Sequence, residues 1–185
     1  VSSIKISDDK DKSNEKKILE DISCLLQFNN PFIIKFIGFN HTDFNGYPNM
    51  TVLTEYYSNI TLLDIVNKMQ KNLSPRNWND TQRLKIIYGI ASGMSYAHSK
   101  NFIYRNLKPE DILLDENLNP KIIFSPFSII DEITPQNSQN LSIYTAPELF
   151  EDNSYYSTSA DVYSFAIIVY VLMEGIDHLF NFEKA

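Results

Sequence analysis

The sequence predicts an α+β fold in which short strands come first and helices follow. Up to residue 57, apolar residues form short runs that turn residues interrupt, and from Thr61 onward they recur at helical spacing. Apolar residues make up 43% and charged residues 21% of the 185 residues, which suits one sizeable core in a globular protein.

Three strands are predicted in the first part, over residues 1–6, 32–39 and 51–57. The Asn-Gly pair at residues 45–46 predicts a turn between the last two strands. Between the first two strands a helix is predicted over residues 15–28, and Pro31 ends it. The apolar stripe of this helix comprises Ile18, Leu19, Ile22, Leu25 and Leu26.

Helices dominate the second part of the chain. A short helix is predicted over residues 61–70, and a longer one begins after a cap at Asn79 or Asp80 and runs to about Ser99. The predicted inner face of the longer helix consists of Leu84, Ile87, Ala91 and Met94. The remaining predicted elements are two short strands around residues 115–120 and a final helix after Asp161.

Composition argues against several classes of function. A formal net charge of -7 without a basic stripe argues against nucleic acid as a partner. Cys24 is the only cysteine, so an internal disulfide is excluded and a reducing compartment is expected. The start lacks the pattern of a signal peptide, and the longest apolar run, 162–173, is too short to cross a bilayer. A cytoplasmic protein without membrane contact is therefore expected.

Four segments stand out for their order along the chain. Residues 104–114 read Tyr-Arg-Asn-Leu-Lys-Pro-Glu-Asp-Ile-Leu-Leu, residues 146–148 read Ala-Pro-Glu, residues 161–165 read Asp-Val-Tyr-Ser-Phe, and residues 3–5 read Ser-Ile-Lys. In turn they resemble the catalytic loop, the A-P-E motif, the start of the large-lobe helix and the lysine strand of eukaryotic protein kinases. Each match alone is weak, but four matches in the right order at fitting distances form a specific signal.

The resemblance implies a bilobal protein kinase-like fold that is truncated at both ends. Residues 1–57 correspond to a partial small lobe with the lysine strand, helix C, strands 4 and 5 and the hinge. Residues 58–185 correspond to a partial, mainly helical large lobe that runs through the helix after the A-P-E motif. The motifs resemble the serine/threonine and tyrosine-kinase-like branches, and Lys108 favours the serine/threonine type.

The catalytic base of the family corresponds to residue 106. In an active kinase an Asp at this position accepts the proton of the attacking hydroxyl. Asn106 has nearly the same shape but no negative charge, so we expect the loop to fold while the base is lost. Arg105 and Lys108 match the family, and Arg105 implies a partner for a charged activation loop. Asp161 is expected to accept backbone hydrogen bonds from the catalytic loop.

The metal-binding motif is changed at every position. Where the family has Asp-Phe-Gly, this chain has Phe124, Ser125 and Pro126. A phenyl ring offers no oxygen to Mg²⁺, which requires hard ligands, so the motif argues against Mg²⁺ binding. Asp111 occupies the second metal position, which is usually Asn. It has two interpretations: a lone carboxylate ligand, or a solvated or capping residue of the loop.

The resemblance implies ATP as the ligand of the cleft. Lys5 corresponds to the lysine that contacts the α- and β-phosphates, and Asp21 to its helix partner, which is usually the longer Glu. The alternative interpretation of Lys5 is an exposed strand lysine. Thr54 corresponds to the gatekeeper, and the backbone from Glu55 to Tyr57 corresponds to the segment that contacts the nucleotide.

An apolar column links the two lobes in active kinases. By position its members are Leu25, an aromatic ring at Phe36 or Phe39, Tyr104 and Ser125. Ser125 leaves a gap where a phenyl ring belongs. We predict that Phe124 or Phe127 turns inward and fills this gap, which would fix the lobes in one state.

These features predict a pseudokinase, meaning a protein kinase-like module that binds or regulates a protein partner without transferring phosphate. The losses at Asn106 and Phe124 are independent, and removing one such group already lowers a rate by orders of magnitude. Two alternatives remain open. One is an active ATP-dependent serine/threonine kinase for a protein substrate with Asp111 as its only metal carboxylate, and the other is a nucleotide sensor without catalysis.

Overall fold

In the computed structural model, the first part of the chain forms a three-stranded sheet and the second part is mainly helical, which confirms the predicted α+β class. The structure describes residues 2–5, 19, 22–47, 49–57, 60–124, 142–150 and 157–174, with the backbone alone for 2–5, 49–50 and 150. The predicted division of the chain at residue 57 stays a prediction.

An antiparallel sheet of three strands opens the chain, in the order β1-β3-β2. Its strands are β1 (Ser2–Lys5), β2 (Phe36–Asn40) and β3 (Asn49–Thr54). The pairing is shorter than the two apolar runs from which it was predicted. It begins at Phe36 rather than at residue 32, because Phe32 and Ile34 form backbone hydrogen bonds with Ile122 instead, and it ends at Thr54 rather than at residue 57.

The turn between β2 and β3 is the Asn-Gly turn that the sequence predicts. Gly46 has a φ of 82°, in the left-handed region that a residue without Cβ adopts at no steric cost. The Asp43 carboxylate accepts hydrogen bonds from the backbone N–H groups of Asn45 and Tyr47 at 2.9 and 3.0 Å. The side chain therefore holds the turn from inside.

The helix predicted before Pro31 is described only at its end. Residues 19 and 22–25 are helical, and Ile22 and Leu25 are fully buried. Leu26 is 43% exposed, so its assignment to the buried stripe is wrong. The chain leaves the helix for a turn at residues 26–27, which rotates this side chain outward. The predicted residues 15–18, 20 and 21 lie outside the described part.

Three further helices follow: α1 (Leu62–Gln70), α2 (Asp80–Ser99) and α3 (Thr158–Glu174). Thr61 caps α1 through a reciprocal capping box with Asp64. Of the two candidate caps for α2, the structure selects Asn79, whose side chain accepts from Gln82 N at 3.0 Å. Within the described residues, no helix is long and apolar enough to span a membrane.

The buried face of α2 differs from the predicted face. Leu84 is 59% exposed, and only Met94 of the four predicted residues is fully buried. The spacing of large apolar residues predicted the wrong face. The buried face includes two glycines and a glutamine, and the prediction considered only large apolar side chains. The buried residues are Gln82, Ile86, Gly89, Ile90, Gly93, Met94 and Ala97.

A small hairpin connects the sheet-containing part with the helices. Strands β4 (Ile112–Leu114) and β5 (Pro120–Ile122) pair around the predicted turn. On one side, Ile122 exchanges backbone hydrogen bonds with Phe32 and Ile34 at 2.8 and 3.0 Å. On the other side, Leu114 N donates to Ile60 O at 2.9 Å. The hairpin therefore anchors segments from both parts.

Replacing Gly89 or Gly93 with Ala is expected to lower the free energy of unfolding by about 1–2 kcal/mol. A Cβ would lie 2.5 Å from Pro120 Cγ at Gly89 and 2.8 Å from Ile122 Cδ1 at Gly93. Overpacking of this kind costs about 1–3 kcal/mol, which exceeds the roughly 1 kcal/mol that Ala gains over Gly in a helix. Chemical denaturation measures the difference.

Gly38→Ala is the matched control, because a Cβ at Gly38 meets no atom within 4 Å. This variant is expected to be at least as stable as the wild type, since Gly is unfavourable inside a strand. Wild-type stability in both helix variants would show that α2 does not approach the hairpin this closely.

Candidate active site

The carboxylate of Asp161 holds the catalytic loop, as the sequence predicts. Its Oδ2 accepts a hydrogen bond from Tyr104 N at 2.8 Å, and its Oδ1 accepts one from Arg105 N at 2.7 Å. Arg105 has a φ of 77°, a left-handed conformation that costs a residue with a side chain about 1–3 kcal/mol. The buried carboxylate stabilises this conformation because both N–H groups point at it.

His98 is a further partner of Asp161 that the sequence did not reveal. Its Nε2 lies 2.7 Å from Asp161 Oδ2, and the Asp161 side chain is only 1% exposed. The two residues are 63 positions apart, on α2 and α3, so no local pattern indicates the contact. The pair lines a cavity of about 250 Å³ between these helices.

The predicted catalytic residues Arg105, Asn106 and Lys108 are all half-buried in this loop. Asn106 follows the segment that Asp161 holds, so the loop keeps its structure around an amide at the base position. Lys108 leads into a 3₁₀ turn over Pro109–Asp111, in which Asp111 N donates to Lys108 O at 3.0 Å. No proton acceptor of adequate strength replaces Asp at residue 106, because an amide is not a base near neutral pH.

Asp111 lies at the junction of the catalytic loop and β4. Its backbone O accepts from Ile123 N at 2.8 Å, and its carboxyl group contacts the Tyr104 hydroxyl. Burial raises the pKa of Asp111 to about 6, although the charge of Lys108 and the bond to Tyr104 oppose the rise. The carboxyl is half-buried rather than solvated, and its interaction with the backbone of Lys108 fits the interpretation as a cap of the 3₁₀ turn.

Phe124 packs into the protein core, as an inward turn requires, but the filling of the gap at Ser125 stays a prediction because Ser125 lies outside the described residues. It is 4% exposed, and its ring makes edge-to-face contacts with Tyr104, Phe102 and Phe28 at centroid distances of 5.0, 5.4 and 5.5 Å. Tyr96 joins the same group through Phe28 at 5.5 Å. We call Phe28, Tyr96, Phe102, Tyr104 and Phe124 the aromatic cluster.

The structure describes only some of the other predicted members of the apolar column. Leu25 and Tyr104 are buried, and of the two candidate aromatic residues Phe36 is buried whereas Phe39 is 36% exposed. Ser125 and Phe127 lie outside the described residues. The column therefore has Phe36 rather than Phe39 as its candidate ring.

The side chains at the predicted metal positions do not form a site that suits Mg²⁺. Asp111 supplies one carboxylate, and the opposing position is a phenyl ring that faces the core. In the described part of the chain, no group of three or more His, Cys, Asp or Glu residues is arranged to hold a metal ion.

The predicted nucleotide residues are described to different extents. Lys5 ends β1 opposite Asn49 on β3, but its side chain and all of Asp21 lie outside the described part, so their ion pair stays a prediction. Thr54 ends β3 and is half-buried. The backbone N–H of Glu55 donates to Lys35 O at 2.9 Å.

The side chains of Glu55 and Tyr57 have partners that the sequence reasoning missed. The Glu55 carboxylate lies 2.7 Å from Lys121 Nζ, and the Tyr57 hydroxyl bonds Asp115. One signal was available: Lys121 lies between the apolar residues Pro120 and Ile122, so strand alternation turns it to the opposite face of β5.

Comparison with known proteins extends the similarity over the whole chain. The sequence model of the protein kinase domain matches residues 1–184. A protein of Acanthamoeba polyphaga mimivirus that is named as a candidate serine/threonine-protein kinase/receptor, R826, is 33% identical over 89% of this chain. The chain spans 10% of the length of that protein.

Two further relatives differ in the activity that their names describe. The serine/threonine-protein kinase SIK2 of Gallus gallus is 29% identical over 89% of this chain, which spans 20% of its length. A leucine-rich repeat receptor-like protein kinase of Arabidopsis thaliana, named as one expected to be inactive, is 32% identical over 84% of this chain, which spans 16% of its length. With the match over residues 1–184, this chain belongs to the protein kinase domain family.

Proposed function

We propose that this chain is a pseudokinase domain that binds or regulates a protein partner without transferring phosphate. The observation that carries the proposal is the burial of Phe124 in the aromatic cluster, at the position of the family's metal-binding Asp. Asn106 supports it independently, because it removes the base from a loop that is otherwise held in place by Asp161. A cytoplasmic location and a protein partner belong to the same proposal.

Phosphoryl transfer depends on positioning and on neutralising phosphate charge with metal ions. Here the scaffold contacts of the catalytic loop are present, whereas the groups that would hold the charge are changed. A domain of this kind retains surfaces for a protein partner, because those surfaces depend on the fold and not on the base or the metal ligands.

The full protein that contains this chain is expected to show no phosphate transfer from ATP to itself or to a generic protein substrate, with Mg²⁺ or Mn²⁺. Loss of a catalytic base together with a metal carboxylate lowers the rate by several orders of magnitude, so the signal should match a reaction without enzyme. An assay with radiolabelled ATP measures the phosphate transfer. Transfer that disappears on Asp111→Ala and persists in Asp80→Ala, which changes an exposed carboxylate at the start of α2, would instead favour the active kinase with one metal carboxylate.

A nucleotide sensor without catalysis is the second candidate. Among the described residues, the carbonyl of Glu55 and the N–H of Tyr57 have no hydrogen-bond partner. One acceptor and one donor two residues apart on a strand-like segment suit the edge of a planar base such as adenine. Lys5 would supply the charge for the phosphates in this proposal.

Thermal-shift titration with ATP separates the two candidates. A rise in melting temperature with ATP that is lost in Lys5→Met would support the sensor, because a ligand that binds only the folded state stabilises it by mass action. Lys35→Met is the control, since it changes a lysine beside β2 whose backbone alone contacts Glu55. An unchanged melting temperature at millimolar ATP, with or without Mg²⁺, would remove the sensor.

A further inference from the structure

The side chain of Glu55 joins three separate segments. Its Oε1 lies 2.7 Å from Lys121 Nζ on β5 and accepts a hydrogen bond from Lys35 N, just before β2, at 2.9 Å. The backbone N–H of Glu55 in turn donates to Lys35 O at 2.9 Å. The segment after β3 is therefore held to the segment before β2 and to the hairpin at the same residue.

Tyr57 makes a second connection to the same hairpin. The Nζ of Lys121 lies 5.3 Å from the centroid of its ring, within the range of a cation–π interaction. Its hydroxyl bonds the carboxylate of Asp115, which also holds the hairpin turn through the N–H groups of Asn117 and Asn119 at 2.8 Å each. Lys121 is therefore placed between the carboxylate of Glu55 and the ring of Tyr57.

Burial makes these contacts stronger than an ordinary surface pair. The Lys121 side chain is 20% exposed and that of Glu55 is 32% exposed, so solvent and salt screen them only in part. Burial alone would raise the pKa of Glu55, but the hydrogen bonds from Lys121 and Lys35 outweigh it and the pKa is lowered. For Tyr57, burial and the charge of Asp115 raise the pKa to about 12, so the hydroxyl keeps the proton that it donates.

We infer that Glu55, Tyr57, Asp115 and Lys121 form a clamp that holds residues 55–57 in one orientation against the β4–β5 hairpin. The clamp connects residues 66 positions apart, so it ties the end of the sheet to the helical part of the chain. It makes the connection between the two parts a rigid joint. This inference goes beyond the proposed function, because the clamp acts with or without a nucleotide.

Hydrogen–deuterium exchange of the backbone amides of Lys35 and Glu55, which are the hydrogen-bonded amides of this joint, tests the clamp in the full protein. Lys121→Met keeps the length of the stem without the charge, and Glu55→Gln keeps an acceptor for Lys35 N without the charge. Each is expected to raise the exchange rate about fivefold to tenfold, the size of one ordinary lost hydrogen bond, because solvent screens part of the charge of this partly exposed pair. The double variant should add little to either single variant, because both remove the same ion pair.

Asp80 and Arg83 provide the control pair. They lie 2.8 Å apart at the start of α2, but the Asp80 side chain is 83% exposed and the pair spans a single helical turn. Asp80→Asn and Arg83→Met should leave exchange at the amides of Lys35 and Glu55 unchanged. Tyr57→Phe is a milder second variant, which keeps the ring and loses the bond to Asp115, and it should raise exchange about threefold.

Two results would overturn the clamp. One is wild-type exchange at the amides of Lys35 and Glu55 in folded Glu55→Gln, Lys121→Met and Tyr57→Phe proteins. The other is a double variant whose effect equals the product of its two single variants, which would mean that Glu55 and Lys121 act independently. If Lys121→Met does not fold, Glu55→Gln and Tyr57→Phe decide the question by the same measurement.

Discussion

Phe124→Asp is expected to lower the free energy of unfolding by about 5 kcal/mol and to leave phosphate transfer absent. Truncating a buried Phe costs about 3–5 kcal/mol, and a carboxylate that replaces the ring among four aromatic side chains has no partner for its charge. Phe124 is 4% exposed and faces Tyr104, Phe102 and Phe28. A loss of this size is comparable with the whole stability of many domains.

Restoring the base as well is not expected to help. Asn106→Asp by itself should be nearly neutral for stability, because the two side chains have almost the same shape and the position is half-buried. The combined variant should be as unstable as Phe124→Asp alone. Phe124→Leu is the matched control, which keeps an apolar side chain and should cost about 1–2 kcal/mol. Chemical denaturation measures the stability of these variants, and transfer of phosphate from radiolabelled ATP measures their activity.

Phosphate transfer by Asn106→Asp/Phe124→Asp at wild-type stability would contradict the account of residue 124. It would mean that this position turns toward the cleft readily and that the aromatic cluster does not hold it. The expected outcome, in contrast, implies that the loss of chemistry has become part of the packing of this domain. Reversal would then require changes in Phe28 and Phe102 as well.

Asp161→Ala is expected to cost about 3–5 kcal/mol of stability. The change leaves the N–H groups of Tyr104 and Arg105 without their acceptor, and each unsatisfied buried group costs about 1–3 kcal/mol. It also releases the positive φ of Arg105 and leaves His98 without its buried partner. Denaturation curves give the stability, and exchange of the amides of residues 104 and 105 shows whether the catalytic loop opens.

His98→Gln is the control for this variant, because it removes one of the three contacts of Asp161 and leaves both backbone bonds. It should cost about 1 kcal/mol. Equal costs for the two variants, or unchanged exchange at residues 104 and 105 in Asp161→Ala, would show that the carboxylate does not hold the loop.

Local signals predicted the features that depend on neighbouring residues. The turn at Gly46, the start of α1 near Thr61, the capped start of α2 and the β4–β5 hairpin follow from residue types a few positions apart. The role of Asp161 was predictable too, although its contacts are distant, because the motifs at residues 104–114 and 161–165 resemble segments whose contact is known for the family.

Prediction failed where packing between distant elements decided the outcome. Spacing assigned Leu84 to the inner face of α2, but the helix turns Gly89 and Gly93 inward, because only residues without a side chain allow the approach of Pro120 and Ile122. Spacing likewise left the side chains of Glu55 and Tyr57 without partners. Those partners lie on a hairpin that is distant in sequence, and a local pattern carries no information about it.

The sequence by itself determined what chemistry is missing: an amide at residue 106 is no base and a phenyl ring at residue 124 binds no metal ion, whatever the fold. Only the tertiary structure decided where these side chains go. The ring of Phe124 lies in the core because Phe28 meets Phe102 and Tyr104 there, from two distant parts of the chain. Burial of the ring stabilises the inward orientation, and this orientation could not be predicted from the residue type alone.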